Sequence, residues 1–252
     1  MRDRKSSRVV ASIEARMGSS RLPGKVLADV AGQPALSRLL ARLRACQSLD
    51  DIVLATSTDP LDDALESWAR ANGVAFWRGS EDDVLQRVVD AQRSMKADVV
   101  VEITGDSILT DPEVVDLGVD TYFANDCDVV SNCGQIVTWP MGINVQVFSF
   151  ALLDEVARSV HDAAVREHVS LYFYENPQRY RLIDLVAPRR LTAPEWRTQL
   201  DYPEDLAFIN EMYRRLAPEH GDCFGTEALF ALLRREPGLL AINAGCEERA
   251  AR

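Results

Sequence analysis

Long apolar runs, paired cysteines and a basic excess are all missing from this chain of 252 residues. No stretch approaches the ~20 apolar residues that span a bilayer. Residues 1–7 are charged with no apolar segment behind them, so no secretory signal is read. The five cysteines, Cys46, Cys127, Cys133, Cys223 and Cys246, form no C-x-x-C pair and read as idle or buried reduced thiols. The formal charge of −11 removes the basic field that nonspecific nucleic-acid binding needs, although a local cationic loop can still oppose it. His161, His168 and His220 have no cysteine at metal spacing, and no Ser-His-Asp arrangement is visible. What remains is a soluble cytoplasmic protein with no nucleic-acid or membrane partner. Its 47% apolar residues suffice for a large α/β core.

What the chain does have is "RMGSSRLPGK", residues 16–25, directly after the apolar run at 9–13. Small residues, a Pro-Gly turn and the cations Arg16, Arg21 and Lys25 suit a loop that holds phosphate. Arginine gives forked hydrogen bonds to phosphate oxygens and lysine a movable charge. It is not a Walker A loop, since five residues separate Gly18 from Gly24 and Val26 follows Lys25. Nor does it carry the G-x-G-x-x-G spacing of a dinucleotide fold. A surface turn with solvated cations is the plainer alternative, weakened by the glycines Gly18 and Gly24 so soon after a buried strand.

Apolar β-rich runs alternate with helical patterns along the first half. Strands are predicted at 9–13, 52–55, 74–77, 99–103 and 128–130. Helices are predicted from Pro34 (with Leu36, Leu39, Leu40 and Leu43 on one face), from Asp59-Pro60 to Gly73, after Ser80 (Val84, Leu85, Val88, Val89), and from Asp111-Pro112. This order predicts an α/β fold with a mostly parallel, mixed central sheet and helices on both faces. Ligands on such sheets lie at the carboxyl ends of strands, which would bring residues 16–25 and Asp106 to one edge. The second half predicts strands at 143–148, 180–186 and 198–201, and helices at 150–160, 163–174, 203–216 and 226–235. No linker divides the chain. We read one domain, with a nucleotide-binding half at 8–137, an acceptor-binding and dimerisation half at 138–216, and a C-terminal helix and tail at 217–252.

Several stretches, taken in order, resemble one family: "ARMGSSRLPGKVL", "STDPLDDAL", "RGSEDDVLQRV", "ITGDSILTDPEVVD", "PMGINVQVFS", "REHVSLYFYENP" and "LDYPEDL". They are similar to the cytidylyltransferases of the spore coat polysaccharide biosynthesis protein F type, relatives of the CMP-KDO and CMP-sialic acid synthetases. The resemblance runs from residue 9 to about 216. It implies a Rossmann-like nucleotidyltransferase that transfers a nucleotidyl group from an NTP, usually CTP, to a small polar acceptor with Mg²⁺, releasing pyrophosphate. It further implies a role in surface polysaccharide or glycoconjugate biosynthesis, and a homodimer.

By that resemblance Arg16, Ser20, Arg21 and Lys25 hold the triphosphate, with Ala15, Gly18 and Ser19 in the same loop, and Asp106 and Asp201 are the magnesium carboxylates. Arg16, Lys25 and Asp106 form the expected catalytic set. Thr56 and Ser57 suit contacts with the base, and Ser80 and Arg87 the nucleotide. Asn144, Gln146, Arg166, Glu167 and His168 are the candidates to line the acceptor site. Turn capping for Asp106 and a helix start for Asp201 remain open as structural roles, as does a solvated helix face for Arg87. Guanylyl or uridylyl transfer and an inactive nucleotide-binding subunit are the rival functions. Where many relatives have a basic residue this chain has Glu102, and Ser107-Ile108 stands where they have a proline, which leaves the acceptor's charge open. The aromatics Phe148, Phe150 and Tyr172 to Tyr174 exceed what one helix face needs. That points to a dimer contact within 138–180, with core packing as the competing explanation.

Overall fold

Val9–Glu14 (β1) lies inside the sheet because it is apolar on both faces. Val9, Ala11 and Ile13 face one layer of helices and Val10 the other, all with no exposed surface. The computed structural model describes residues 3–247, so residues 248–252 of the expected tail lie outside it. The loop after β1 ends in a single 3₁₀ turn at Lys25–Leu27. A small antiparallel ribbon, Asp29–Val30 (β2) with Gln33–Pro34 (β3), follows; the sequence pattern did not show it.

Ala35–Ala45 (α1) buries Leu36, Leu39, Leu40 and Leu43, as the 3.6-residue spacing requires. Asp51–Ser57 (β4), Asp63–Ala71 (α2), Ala75–Gly79 (β5), Val84–Ser94 (α3), Val99–Thr104 (β6) and Pro112–Ala124 (α4) complete the alternating half. Carboxylates start the last two helices. Asp83 accepts from the Gln86 N–H at 3.0 Å and Asp111 from the Glu113 N–H at 2.9 Å. Then come Val129–Ser131 (β7), Gln146–Ser149 (β8), Phe150–Ser159 (α5), Ala163–Glu167 (α6), Leu171–Glu175 (α7), Leu182–Asp184 (β9), Pro203–His220 (α8) and Thr226–Arg235 (α9).

The seven-stranded sheet runs β5-β4-β1-β6-β8-β7-β9. Pairing is parallel except where β8 meets β6 and β7. The chain goes from β1 outward to β4 and β5, then returns to β6 on the other side of β1. That reversal opens a crevice at the carboxyl ends of β1 and β6, where open α/β sheets bind ligands. One face packs under Leu36, Val115, Phe208 and Leu229, the other under Leu85, Val88, Leu153 and Phe173.

Three expectations for the second half are corrected. Residues 198–201 form no strand: Arg197 makes an isolated bridge to Met141, and the segment is held by single contacts on each side. The helix expected at 163–174 is two short helices, broken where His168 is extended (φ −114°, ψ 95°). The strand expected from residue 143 joins the ladder only at Gln146. Ahead of it the buried Asn132 side chain accepts from the Val145 N–H at 2.8 Å and donates to the Ile143 carbonyl, replacing ladder bonds. The aromatics are largely core: Phe148 and Phe173 have no exposed surface and their rings lie 5.1 Å apart.

Candidate active site

The crevice is an open cleft of about 620 Å³, lined by the phosphate-type loop, the end of β6, the start of α3, the break after α6 and residues 199–201. The loop closes on itself, since the Ser19 and Gly24 N–H groups both donate to the Met17 carbonyl at 3.0 Å. Gly24 sits in the left-handed region (φ 72°), where glycine carries no steric penalty. The Met17 N–H donates to Asp62 at 2.7 Å, and the buried Asp62 in turn accepts from the Ser57 hydroxyl and N–H. Ser57 thus builds the loop through Asp62 while having no exposed surface itself.

At one end of the cleft the charges meet. The Lys25 ammonium donates to Asp106 Oδ2 at 2.6 Å and to Asp201 Oδ1 at 2.8 Å. The two carboxylates, 95 positions apart in the chain, therefore converge on one cation. Arg21 reaches the same Asp201 oxygen at 2.6 Å, and Arg197 reaches the other at 2.9 Å. Arg197 also pairs with the fully buried Asp205 at 2.9 Å. Thr104 donates its hydroxyl to Asp106 Oδ1 at 2.7 Å.

Burial alone would raise the Asp201 carboxyl, but Lys25 and Arg21 more than offset it and hold it below the usual carboxylate range. Burial would likewise lower Lys25, and Asp106 with Asp201 reverse that, so the ammonium is retained. Among the described residues no cluster of three or more His, Cys, Asp and Glu could hold a metal. Asp106 and Asp201 do form a pair of hard-oxygen donors already gathered around a cation, which suits a divalent ion completed by phosphate and water.

At the other end two carboxyl oxygens are unanswered. Glu14 lines the cleft with Oε1 sealed and without a hydrogen-bond partner, and Oε2 of the buried Glu102 is likewise unpartnered. Burial, then Glu102, then Asp106 push the Glu14 carboxyl well above its ordinary range, against the pull of Arg87. Burial lifts Glu102 to about 8, against hydrogen bonds from Ser170 and Gln146. Arg87 lines the cleft too, but spends one guanidinium nitrogen on the Ser80 and Glu81 carbonyls at 2.6 and 3.2 Å. Arg16 stretches across to Glu167 at 3.6 Å and Glu81 at 4.0 Å.

Of the residues singled out by sequence, Ala15, Arg16, Gly18, Ser19, Ser20, Arg21, Lys25, Arg87, Asp106, Asn144, Glu167, His168 and Asp201 all line this cleft. Thr56 and Ser57 are buried away from it. Gln146 is buried and accepts from Ser170 and Tyr174. Ser80 is exposed outside the lining, where its hydroxyl accepts from the Asp83 N–H at 3.1 Å. Arg166 ties α6 to Asp83 and to the Ala157 carbonyl. Sequence reasoning missed Glu14, Asp62, Gln199, Arg197 and Asp205. An acid ending an apolar strand, as in "VVASIE", and the i, i+4 spacing of Arg197 and Asp201 were the available signals.

A phosphate-type loop leaving an interior strand at a topological switch, with two carboxylates gathered beside it, defines a nucleotidyltransferase of the Rossmann-like class. Residues 10–218 match the family model described as cytidylyltransferase. The chain belongs to that family. It is 36% identical over 230 residues to the spore coat polysaccharide biosynthesis protein SpsF of Bacillus subtilis (strain 168), covering 89% of this chain and 93% of that one. It superposes on a cytidylyltransferase from Leptospira borgpetersenii with a TM-score of 0.87 at 27% identity, over 97% of this chain and 100% of the other. A CMP:2-keto-3-deoxy-manno-octonic acid synthetase complexed with CTP shares the fold, with a TM-score of 0.62 at 18% identity, over 83% and 99% of the two chains. Among the described residues no helix is long and apolar enough to cross a membrane.

Proposed function

We propose that the protein transfers CMP from CTP to an oxygen of a small polar acceptor, releasing pyrophosphate, in surface polysaccharide or glycoconjugate biosynthesis. The observation that carries this reading is the Lys25 ammonium held between Asp106 and Asp201 beside Arg21. Arg16, Arg21 and Lys25, with the loop around Gly18 to Ser20, take the triphosphate. Asp106 and Asp201 hold Mg²⁺, which supplies, when bound, neutralisation of the charge that builds on the phosphates. The acceptor oxygen attacks the α-phosphorus as the bond to the pyrophosphate oxygen breaks, so no covalent enzyme intermediate is needed. Catalysis rests on positioning and electrostatics. Asn144, Glu167 and His168 line the wall where the acceptor approaches.

Pyrophosphate release from CTP and Mg²⁺ over a panel of acceptors tests the reading. Lys25→Ala should cost on the order of 1.5–3 kcal/mol of CTP binding, the worth of a charge-assisted contact. Asp106→Asn and Asp201→Asn should fold and turn over very slowly; normal Mg²⁺-dependent turnover in Asp106→Asn would leave that residue only a structural role. A homodimer is part of the proposal. The exposed apolar side chains Ile136, Val137 and Val186 support it, whereas Phe148 and Phe173 are buried in the core. Light scattering at tens of micromolar decides it.

A further inference from the structure

Resting on the reading of Asp106 and Asp201 as metal carboxylates, we infer that the free protein fills its metal position with the Lys25 ammonium, so that it takes the divalent cation only as a metal–nucleoside triphosphate complex. The geometry is specific. Lys25 Nζ lies within hydrogen-bond distance of one oxygen from each carboxylate, the oxygens that Thr104 and Arg197 leave to other partners. Arg21 adds a second positive charge on that Asp201 oxygen. Asp106, Asp201 and Asp205 thus face Lys25, Arg21 and Arg197, three charges against three, and the cluster offers no net negative charge to a free ion.

A divalent cation arriving alone would meet an ammonium and a guanidinium at its own ligands. Displacing Lys25 without a new anion would leave the ammonium, now only 12% exposed, without a partner in the cleft wall. A triphosphate removes both obstacles. Its oxygens give Lys25 and Arg21 alternative partners, and it brings the ion already chelated. The lysine is suited to this exchange because it is a point charge on a flexible stem, mounted just after the glycine that turns the loop. Metal and nucleotide binding are then one event, coupled through a side chain that changes partners.

The test uses the full chain and Mn²⁺ as the probe, read by the paramagnetic signal of the free ion, with and without CTP. Without nucleotide, the wild type should bind Mn²⁺ no more tightly than Asp106→Asn does. Lys25→Met keeps the length of the stem and removes the charge. It should bind Mn²⁺ alone at least tenfold more tightly than wild type, and adding Asp201→Asn should abolish the gain. Lys25→Arg, which keeps the charge, should not show it. Tight binding of Mn²⁺ alone by the wild type would overturn the inference, as would a folded Lys25→Met with no gain. Should Lys25→Met not fold, the comparison of wild type with Asp106→Asn decides. Binding of the Mn²⁺–CTP complex separates the two levels. If it does not depend on Asp106 and Asp201, the metal reading itself falls; if it does, and only the Lys25→Met gain is missing, the inference alone falls.

Discussion

The two halves of the chain build one cleft by different means. In 8–137 the side chains lining the cleft, apart from Val84 and Arg87 on α3, stand at the end of a regular strand or in the loop that leaves it, within a ladder of parallel pairs. In 138–216 the decisive carboxylate, Asp201, belongs to a segment with no ladder at all. It is placed by the Thr198 N–H on the Met141 carbonyl (2.8 Å), the Leu200 N–H on the Asp106 carbonyl (3.0 Å), and the buried Arg197, Asp205 and Asn243. A sheet edge tolerates local change because the ladder carries the geometry. A segment held by a few buried polar contacts does not.

Substitutions in each half can break or sharpen that contrast. The largest effect is expected from Asp205→Ala. It removes a buried carboxylate that accepts from Arg197, from Asn243 and from the N–H groups of Asp201 and Tyr202. Breaking such a pair costs roughly 3–5 kcal/mol, read as a lowered urea midpoint, and Mg²⁺-dependent turnover should fall with it.

Gly142→Ala comes next, at about 3 kcal/mol from overpacking plus a disfavoured positive φ. A Cβ there would lie 2.5 Å from the Gln199 nitrogen and 2.7 Å from the Thr198 carbonyl carbon, at φ +96°. A midpoint unchanged from wild type would show that residues 198–201 are not seated on Gly142.

Glu102, at the seam between β6 and β8, predicts a pH dependence. Folded, its carboxyl stays protonated up to about 8, whereas unfolded it ionises near its ordinary value. From about pH 4.3 to that value the unfolded state binds fewer protons, so stability falls as pH rises, by on the order of a few kcal/mol. Glu102→Gln should narrow the difference between urea midpoints at pH 5 and pH 8, and Glu14, whose carboxyl burial also raises, carries a further share of the same sign. The smallest effect is expected in the first half. Gly24→Ala has only the flexible Met17 Cε at 3.3 Å, and its positive φ costs on the order of 1 kcal/mol.

Legibility in the sequence followed the same division. β1, β4 and β6 were readable because buried parallel strands are continuous apolar runs, and the loop at 16–25 because its cations and glycines are adjacent. Asp106 stands just past a strand end, so its place was readable too. Thr56 and Ser57 were misplaced because a strand's carboxyl end marks an edge without telling which side chains turn inward. The break at His168 and the role of Asn132 arise from contacts with distant segments, which no local period records. The approach of Lys25 to Asp106 was legible from the strand ends, whereas Asp201 was singled out through the family resemblance.

The hydrogen bond from the Leu200 N–H to the Asp106 carbonyl joins the two carboxylate-bearing segments main chain to main chain. The gap between the acids is thereby gauged by peptide geometry, like the jaws of a caliper. Ser107 and Leu200 are both fully buried, so replacements that keep their volume leave the spacing of the acids fixed. A proline at 200 is the exception, because it would delete the one N–H that sets the gauge.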